Sequence, residues 1–249
     1  MTQKQSNAQI TQTPAQQELD LLKAEYDEFI SIASHDLYGN FRQVLAFSEI
    51  ILNQYKDSFD AETQTYFTYI INGAKDGKQK LDELRAFSKI QKSNFTFTDI
   101  DCTALVADVI DTLTALTDPS EVDITVGKLP VIQADSDKMR EVFHNLLENA
   151  LLYREGTRAH KISVTCDETD SFFEFKIADN GMGIADYLDQ SIFQAFKRGV
   201  AKDQYPGRGM GLAIAKKIVN LHGGKLDYLR EPENKTVFRF TVPKISVAA

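Results

Sequence analysis

Residues 15–55 read AQQELDLLKAEYDEFISIASHDLYGNFRQVLAFSEIILNQY, and their spacing decides how the chain begins to fold. Leu19, Leu22, Tyr26, Ile30, Ala33, Leu37, Phe41, Val44, Ile51 and Tyr55 recur at steps of three and four, with Ser48 filling one slot. That is the pattern of a long amphipathic helix with coiled-coil spacing. Residues 56–60 break it, and Asp60 is suited to cap a new helix. A second stripe then runs through Phe67, Ile70, Ala74, Gly77, Leu81 and Leu84. Residues 15–92 are therefore expected to form a helical hairpin. Two helices with one narrow seam each enclose no core, whereas two hairpins together make a four-helix bundle, so a homodimer is the expected state. Residues 1–14, rich in Gln, Thr and Asn, read as a disordered lead.

Beyond residue 92 the period changes. Residues 95–100 alternate like a strand, 103–116 read as a helix, and 122–126 and 131–134 as short strands. Ser136 is the expected cap of a helix reaching about residue 154. Strands are expected at 161–166 and 172–178, joined by the acidic turn 167–170. A helix from 209 or 210 to 221 should stop at Gly223 and Gly224, and strands near 225–229 and 236–242 close the chain. Strands and helices without regular βαβ alternation predict an α+β sandwich over residues 93–245. The fold class is thus α followed by α+β.

Composition narrows the function. With 249 residues, 43% of them hydrophobic, the chain has enough apolar material for packed cores. A net charge of −8 opposes nucleic acid and anionic lipid as general partners. It does not oppose one phosphate ligand, which a few backbone N–H groups hold. No apolar run approaches the roughly 20 residues that span a bilayer, and the polar N-terminus lacks signal-peptide order, so the reading is cytoplasmic. Cys102 and Cys166 stand far apart and outside any CxxC or Cys/His cluster, and are expected to be buried thiols.

At 100° per residue the stripe of the first helix centres almost opposite His35, which should therefore face solvent. Asp36 can take the proton of one ring nitrogen and leave the other as a nucleophile toward phosphorus. Taken alone, an exposed helical His is usually just a solvated side chain. On the helix expected at 136–154, Asn145 and Asn149 lie four apart, opposite Phe143, Leu146, Leu147 and Ala150. Two amides on one face suit a hydrated cation. Further on stand Asp179-Asn180-Gly181-Met182-Gly183 after a strand, residues 192–198 (IFQAFKR), and Gly207-Arg208-Gly209-Met210-Gly211-Leu212 opening a helix. The last puts three glycines where backbone approaches phosphate at a helix terminus. A Rossmann reading fails, because no ribose-binding acid on a second parallel strand follows.

In this order the motifs resemble the N, G1, F and G2 boxes of the histidine-kinase ATP-binding domain, and the His35 segment resembles the H box. The resemblance covers about residues 18–243, and Tyr205-Pro206-Gly207 with residues 196–202 is similar to kinases of the phytochrome-associated group. It implies a Bergerat-type α/β sandwich binding ATP and Mg²⁺. Asp179 would accept from the adenine amino group, with Gly181 and Gly183 forming the turn beneath the base. Asn149 would ligate Mg²⁺, with Asn145 nearby in a catalytic role. The backbone of Gly207, Arg208, Gly209, Gly211 and Leu212 would hold the triphosphate. Phe193 and Phe196 read equally as core residues and as hinge anchors of an ATP lid. The implied activity is autophosphorylation of His35 and transfer to an aspartate of a response-regulator receiver domain. The signal would come from a separate sensor protein or an N-terminal sensor domain.

Three positions depart from the family pattern. Leu152 replaces a common Lys, leaving Arg154, Lys197, Arg198 or Arg208 to supply a cation. Asn40 replaces a Pro, so the helix should run straighter. Gly39 replaces the Thr or Asn that positions a hydrolytic water. A phosphotransfer adaptor without enzyme activity would have no physical reason to hold Asp179 and the glycines, and gyrase-like or chaperone-like ATPases have none for the His35 hairpin.

Overall fold

In the computed structural model, which describes residues 14–92, 95–115, 122–154, 159–197, 209–232 and 235–244, the chain divides into the units Met1–Lys92 and Ser93–Ala249. The first unit is a pair of long helices, α1 (Pro14–Tyr55) and α2 (Ala61–Lys92). Pro14 opens α1, where its missing N–H costs nothing, so residue 14 belongs to the helix and not to the expected lead. The rest of that lead, residues 1–13, lies outside the described residues. Between the helices a single 3₁₀ turn, Lys56–Ser58, reverses the chain. Asp60 caps α2 as expected, its carboxylate accepting from Thr63 N–H at 2.8 Å. The stacked rings of Phe59 and Phe67, 5.3 Å apart, close the turn over it.

Within this hairpin only one flank of the α1 stripe is covered. Ser34 and Ser48 are buried together with Ile71, Ala74 and Leu81 of α2, and the ring of Phe41 lies where residue 77 has only a hydrogen. Leu22, Tyr26, Leu37, Val44, Ile51 and Tyr55 stay exposed, along with Phe29, Phe47 and Ile50. One antiparallel neighbour shields one side of a helix, so a stripe this wide outlasts it.

The second unit is a layered α+β fold. Among the described residues, β1 (Phe97–Asp101) and β3 (Val131–Asp135) pair antiparallel. A larger sheet has the order β2-β4-β5-β7-β6, from β2 (Val122–Val126), β4 (His160–Glu168), β5 (Phe172–Asp179), β6 (Leu226–Glu231) and β7 (Lys235–Pro243). Its β2–β4 pair is parallel and the remaining pairs are antiparallel. The helices are α3 (Cys102–Thr114), α4 (Ser136–Leu152) and α5 (Gly211–Leu221). Met139, Val142, Phe143, Leu146, Leu147 and Ala150 form one fully buried face of α4. At its centre Phe143 meets Phe175 and Phe240 edge-on at 5.4 and 5.3 Å, and those two rings stack at 5.0 Å. Burying each such ring contributes roughly 1.5–3 kcal/mol, which is why this sandwich closes on itself.

Two expectations are corrected. The cap of α4 is Asp135, not Ser136: Asp135 keeps extended backbone at the end of β3 and accepts from Lys138 N–H at 3.0 Å, while Ser136 is already helical. Cys102 is buried as expected, and burial pushes its thiol up to about 12. Cys166 is only half-buried, because it sits toward the end of β4 beyond the fully covered Ile162 and Val164. Partial burial and then the neighbouring Asp167 push its thiol up to about 11. No helix among the described residues is long and apolar enough to cross a membrane.

Candidate nucleotide site and candidate phosphoacceptor

The site in the second unit is built around the C-terminal half of α4. Asn145 and Asn149 lie one turn apart and half-buried. Asn145 Nδ2 donates to Glu141 O at 2.7 Å, and Asn149 Nδ2 donates to Asn145 O at 2.9 Å. Each amide nitrogen is thus committed to the helix, and among the described residues Asn149 Oδ1 takes no hydrogen bond. The Asn145 oxygen lies against the start of α5, where a Cβ on Gly211 would stand only 2.8 Å from Oδ1. A side chain at 211 would therefore have to push the Asn145 amide aside. Among the described residues no side chain caps α5, so its opening N–H groups, those of Gly211 and Leu212 among them, are an anion-binding arrangement.

Strand β5 delivers Asp179 to the same end of α4. Asp179 is 7% exposed, and its Oδ1 accepts from Gly181 N–H at 2.8 Å. A side chain on Gly181 would run into the carbonyl oxygen of Tyr153. That oxygen accepts from Met182 N–H at 2.9 Å, and Tyr153 N–H donates to Asn149 O at 3.1 Å. Backbone bonds therefore suspend the Asp179 turn from the last turn of α4, in line with the two asparagines. Gly183 and Gly209 adopt φ of 75° and 77°, in the left-handed region. Next to Asp179, Asn180 leaves the ladder yet stays tied to β4.

The structure separates the two phenylalanines of residues 192–198. Phe193 is a core residue, packed against Tyr228 at 6.2 Å and Phe238 at 6.4 Å, with Lys216 Nζ 4.4 Å above its ring. Phe196 is partly exposed and has φ of 62°, a strained conformation for an aromatic residue. Lys197, which follows, is exposed. Arg198, Gly207 and Arg208 lie outside the described residues. Leu152 is half-buried near the end of α4, and the exposed Arg154 follows it.

In the first unit, the His35 side chain is 82% exposed, as the helical phase predicted, and its Nδ1 stands 3.5 Å from Asp36 Oδ1. That is the outer limit of a hydrogen bond, so the carboxylate orients the ring weakly and leaves Nε2 as the opposite ring nitrogen. A Cβ at Gly39 would meet nothing within 4 Å. The residue that sequence reasoning missed is Tyr153. It acts through its carbonyl oxygen, a group every residue has, so no residue-type signal marks it.

Residues 134–246 match the family of histidine kinase-, DNA gyrase B- and HSP90-like ATPases. The chain is 30% identical over 227 residues to the phytochrome-like protein Cph1 of Synechocystis sp. strain PCC 6803, covering 90% of this chain and 30% of that protein. It is 33% identical over 177 residues to the adaptive-response sensory kinase SasA of Synechococcus sp. strain CC9902, covering 66% of this chain and 46% of that one. The chain thus spans less than half the length of these relatives. Among solved structures, full-length ShkA in complex with AMPPNP shares the fold at a TM-score of 0.62 and 24% identity, covering 89% of this chain and 47% of that one. The catalytic domain of the histidine kinase ThkA matches at a TM-score of 0.51 and 26% identity, covering 60% of this chain and 99% of that one. With an ATPase domain of this family behind a helical hairpin, and phytochrome-like and sensor kinases as relatives, the chain is a histidine-kinase catalytic core.

Proposed function

We propose that this chain phosphorylates its own His35 from Mg-ATP and passes the phosphoryl group to an aspartate of a response-regulator receiver domain, acting as a homodimer. The observation that carries the reading is the meeting of three sequence-distant motifs at one end of α4: Asn145 and Asn149, the Asp179–Gly183 turn, and the Gly211 helix start. The residues fit the ligand. Gly181 lets the Asp179 turn close onto the Tyr153 carbonyl, Gly211 lets the start of α5 close onto Asn145, and that helix start offers donors suited to phosphate.

Asp179, oriented by Gly181 N–H, would take the adenine amino group. Asn149 Oδ1 would ligate Mg²⁺, a hard cation that prefers such oxygens, with Asn145 alongside. Gly209, Gly211 and Leu212, with Gly207 and Arg208 of the same motif, would hold the phosphates. Lys197 and Arg198, together with Arg154, are the cations offered in place of a lysine at Leu152. Magnesium, when bound, neutralises phosphate charge as it shifts onto the leaving oxygen. His35 Nε2 would form the N–P bond to the γ-phosphorus as the bond to the β,γ-bridging oxygen of ATP breaks and ADP leaves. Asp36 accepts the Nδ1 proton that the phosphorylated ring sheds. Because Gly39 offers no side chain to hold water in line with phosphorus, the chain is expected to favour kinase over phosphatase activity.

The reading is tested by incubating the protein with γ-labelled ATP and Mg²⁺, then adding a receiver domain. Acid-labile, base-stable label that moves to the receiver is expected. Absence of label at saturating nucleotide would overturn the reading.

A further inference from the structure

We infer that Asn180 and His160, neither of which touches the expected ligand positions, are positioning residues that hold the adenine end and the metal end of the site through the start of strand β4. The inference rests on the nucleotide site proposed above.

Asp179 is the last β5 residue in register with β4, opposite Ile162. One residue later the chain must leave the ladder to turn at Gly181, which would strand the main-chain groups at the start of β4. Asn180 replaces the lost rungs. Its Oδ1 accepts from Lys161 N–H at 2.7 Å, its own N–H donates to Lys161 O at 3.2 Å, and its Nδ2 donates to Ala159 O at 2.9 Å. A side chain of this length with both donor and acceptor can imitate a strand while its backbone turns away. Asp179 and Gly181 therefore flank an anchored residue, and the carboxylate direction is fixed on both sides.

Between those two anchored positions on β4 stands His160, 3% exposed, pointing to the other side of the strand as strand alternation requires. Its Nε2 donates to Ala150 O at 2.7 Å. Ala150 directly follows Asn149, so the three residues 159–161 are tied on one side to the adenine turn and on the other to the helix that presents the metal ligand. A buried carbonyl that loses its donor is costly, so removing His160 should shift the end of α4.

The two ties predict separable effects. Asn180→Asp keeps the acceptor and loses the donor to Ala159. It should weaken ATP and ADP alike, with or without Mg²⁺, by about tenfold, because the adenine turn loses its tie to the Ala159 carbonyl. His160→Leu should leave Mg²⁺-free ADP affinity within about twofold of wild type and remove most of the gain that Mg²⁺ gives ATP, and His160→Gln, which restores a donor at the same reach, should recover that gain. Calorimetric titrations of ATP and ADP, each with and without Mg²⁺, read all four quantities on the full chain, with circular dichroism to establish folding. Should His160→Leu unfold, the Asn180→Asp and His160→Gln titrations still decide. Wild-type affinity in Asn180→Asp, an equal loss in every titration for His160→Leu, or failure of His160→Gln to bind Mg-ATP as wild type does would overturn the inference. A wild-type chain that binds no ATP would instead overturn the site proposal beneath it.

Discussion

The two units of this chain satisfy their apolar residues in opposite ways. In Ser93–Ala249 the large rings are inside: Phe143, Phe175 and Phe240 have no exposure beyond rounding, and α4 has an unbroken buried face. In Met1–Lys92 the seam between the helices includes two serines, Ser34 and Ser48, while Phe29 is 66% and Phe47 64% exposed. A sandwich of sheet and helices encloses a core by itself, and an antiparallel pair of helices does not. The chemistry divides along the same line. The residues suited to nucleotide are held by hydrogen bonds at a buried helix end, and the residue suited to accept phosphate stands on an open helix surface. Binding needs rigidity and desolvation, whereas a phosphoacceptor that must meet both an ATP site and a second protein needs access.

Breaking each core should give unlike results. Phe143→Ala is expected to destabilise the second unit by about 3–5 kcal/mol, independently of protein concentration, as read by denaturant titration of near-UV circular dichroism. Within the nucleotide site, Asp179→Asn should weaken ATP by about 1–3 kcal/mol in calorimetry. Unchanged affinity would move the pocket elsewhere.

The pH response sharpens the contrast further. His222 is buried between the end of α5 and the first residues of the unit: Nδ1 donates to Ile218 O at 2.9 Å, Nε2 accepts from Asp135 N–H at 3.2 Å, and the Phe95 ring lies 4.7 Å away. Burial holds its pKa below the usual 6.5, against the opposing effects of the Ile218 carbonyl and Asp135. The folded state thus refuses a proton that the unfolded state accepts. Stability from this group is complete above 6.5 and falls as pH drops through that value toward the folded pKa. His222→Gln should flatten this dependence in chemical melts between about pH 7 and 5.

Smaller effects should come from the open helices. Phe47→Ser should change the stability of an isolated hairpin by no more than about 0.5 kcal/mol while lowering self-association in sedimentation, because its ring is exposed in the single chain and would be covered in the proposed dimer. A variant as dimeric as wild type would remove that face from the proposed interface. Gly39→Thr has room to fit and should alter stability least of all, yet raise the decay of phosphorylated receiver above the wild-type rate. Wild-type decay already well above the kinase-free rate would contradict the expected bias.

Periodicity made most of this legible. The stripe from Leu22 to Tyr55 and the break before Asp60 placed the hairpin, and strand alternation placed β2, β3, β5 and β7 to within a residue or so at each end. The chemical motifs were legible as spaced residue types. What escaped was decided by backbone and by depth. Asp135 displaced Ser136 as cap because the strand end, not the residue type, set where helical dihedrals begin. Cys166 and Cys102 look alike in sequence, and only their positions along strand and helix separate their burial. The tie from Asn149 through Tyr153 to Met182 runs wholly through main-chain atoms, which every sequence contains.

The division of labour between the units is tested most directly with His35→Ala, by measuring ATP affinity and γ-phosphate labelling on the same preparation. Wild-type affinity is expected, since the imidazole belongs to the helical unit, together with no acid-labile label. Label persisting on another residue, or loss of ATP binding along with the label, would contradict it.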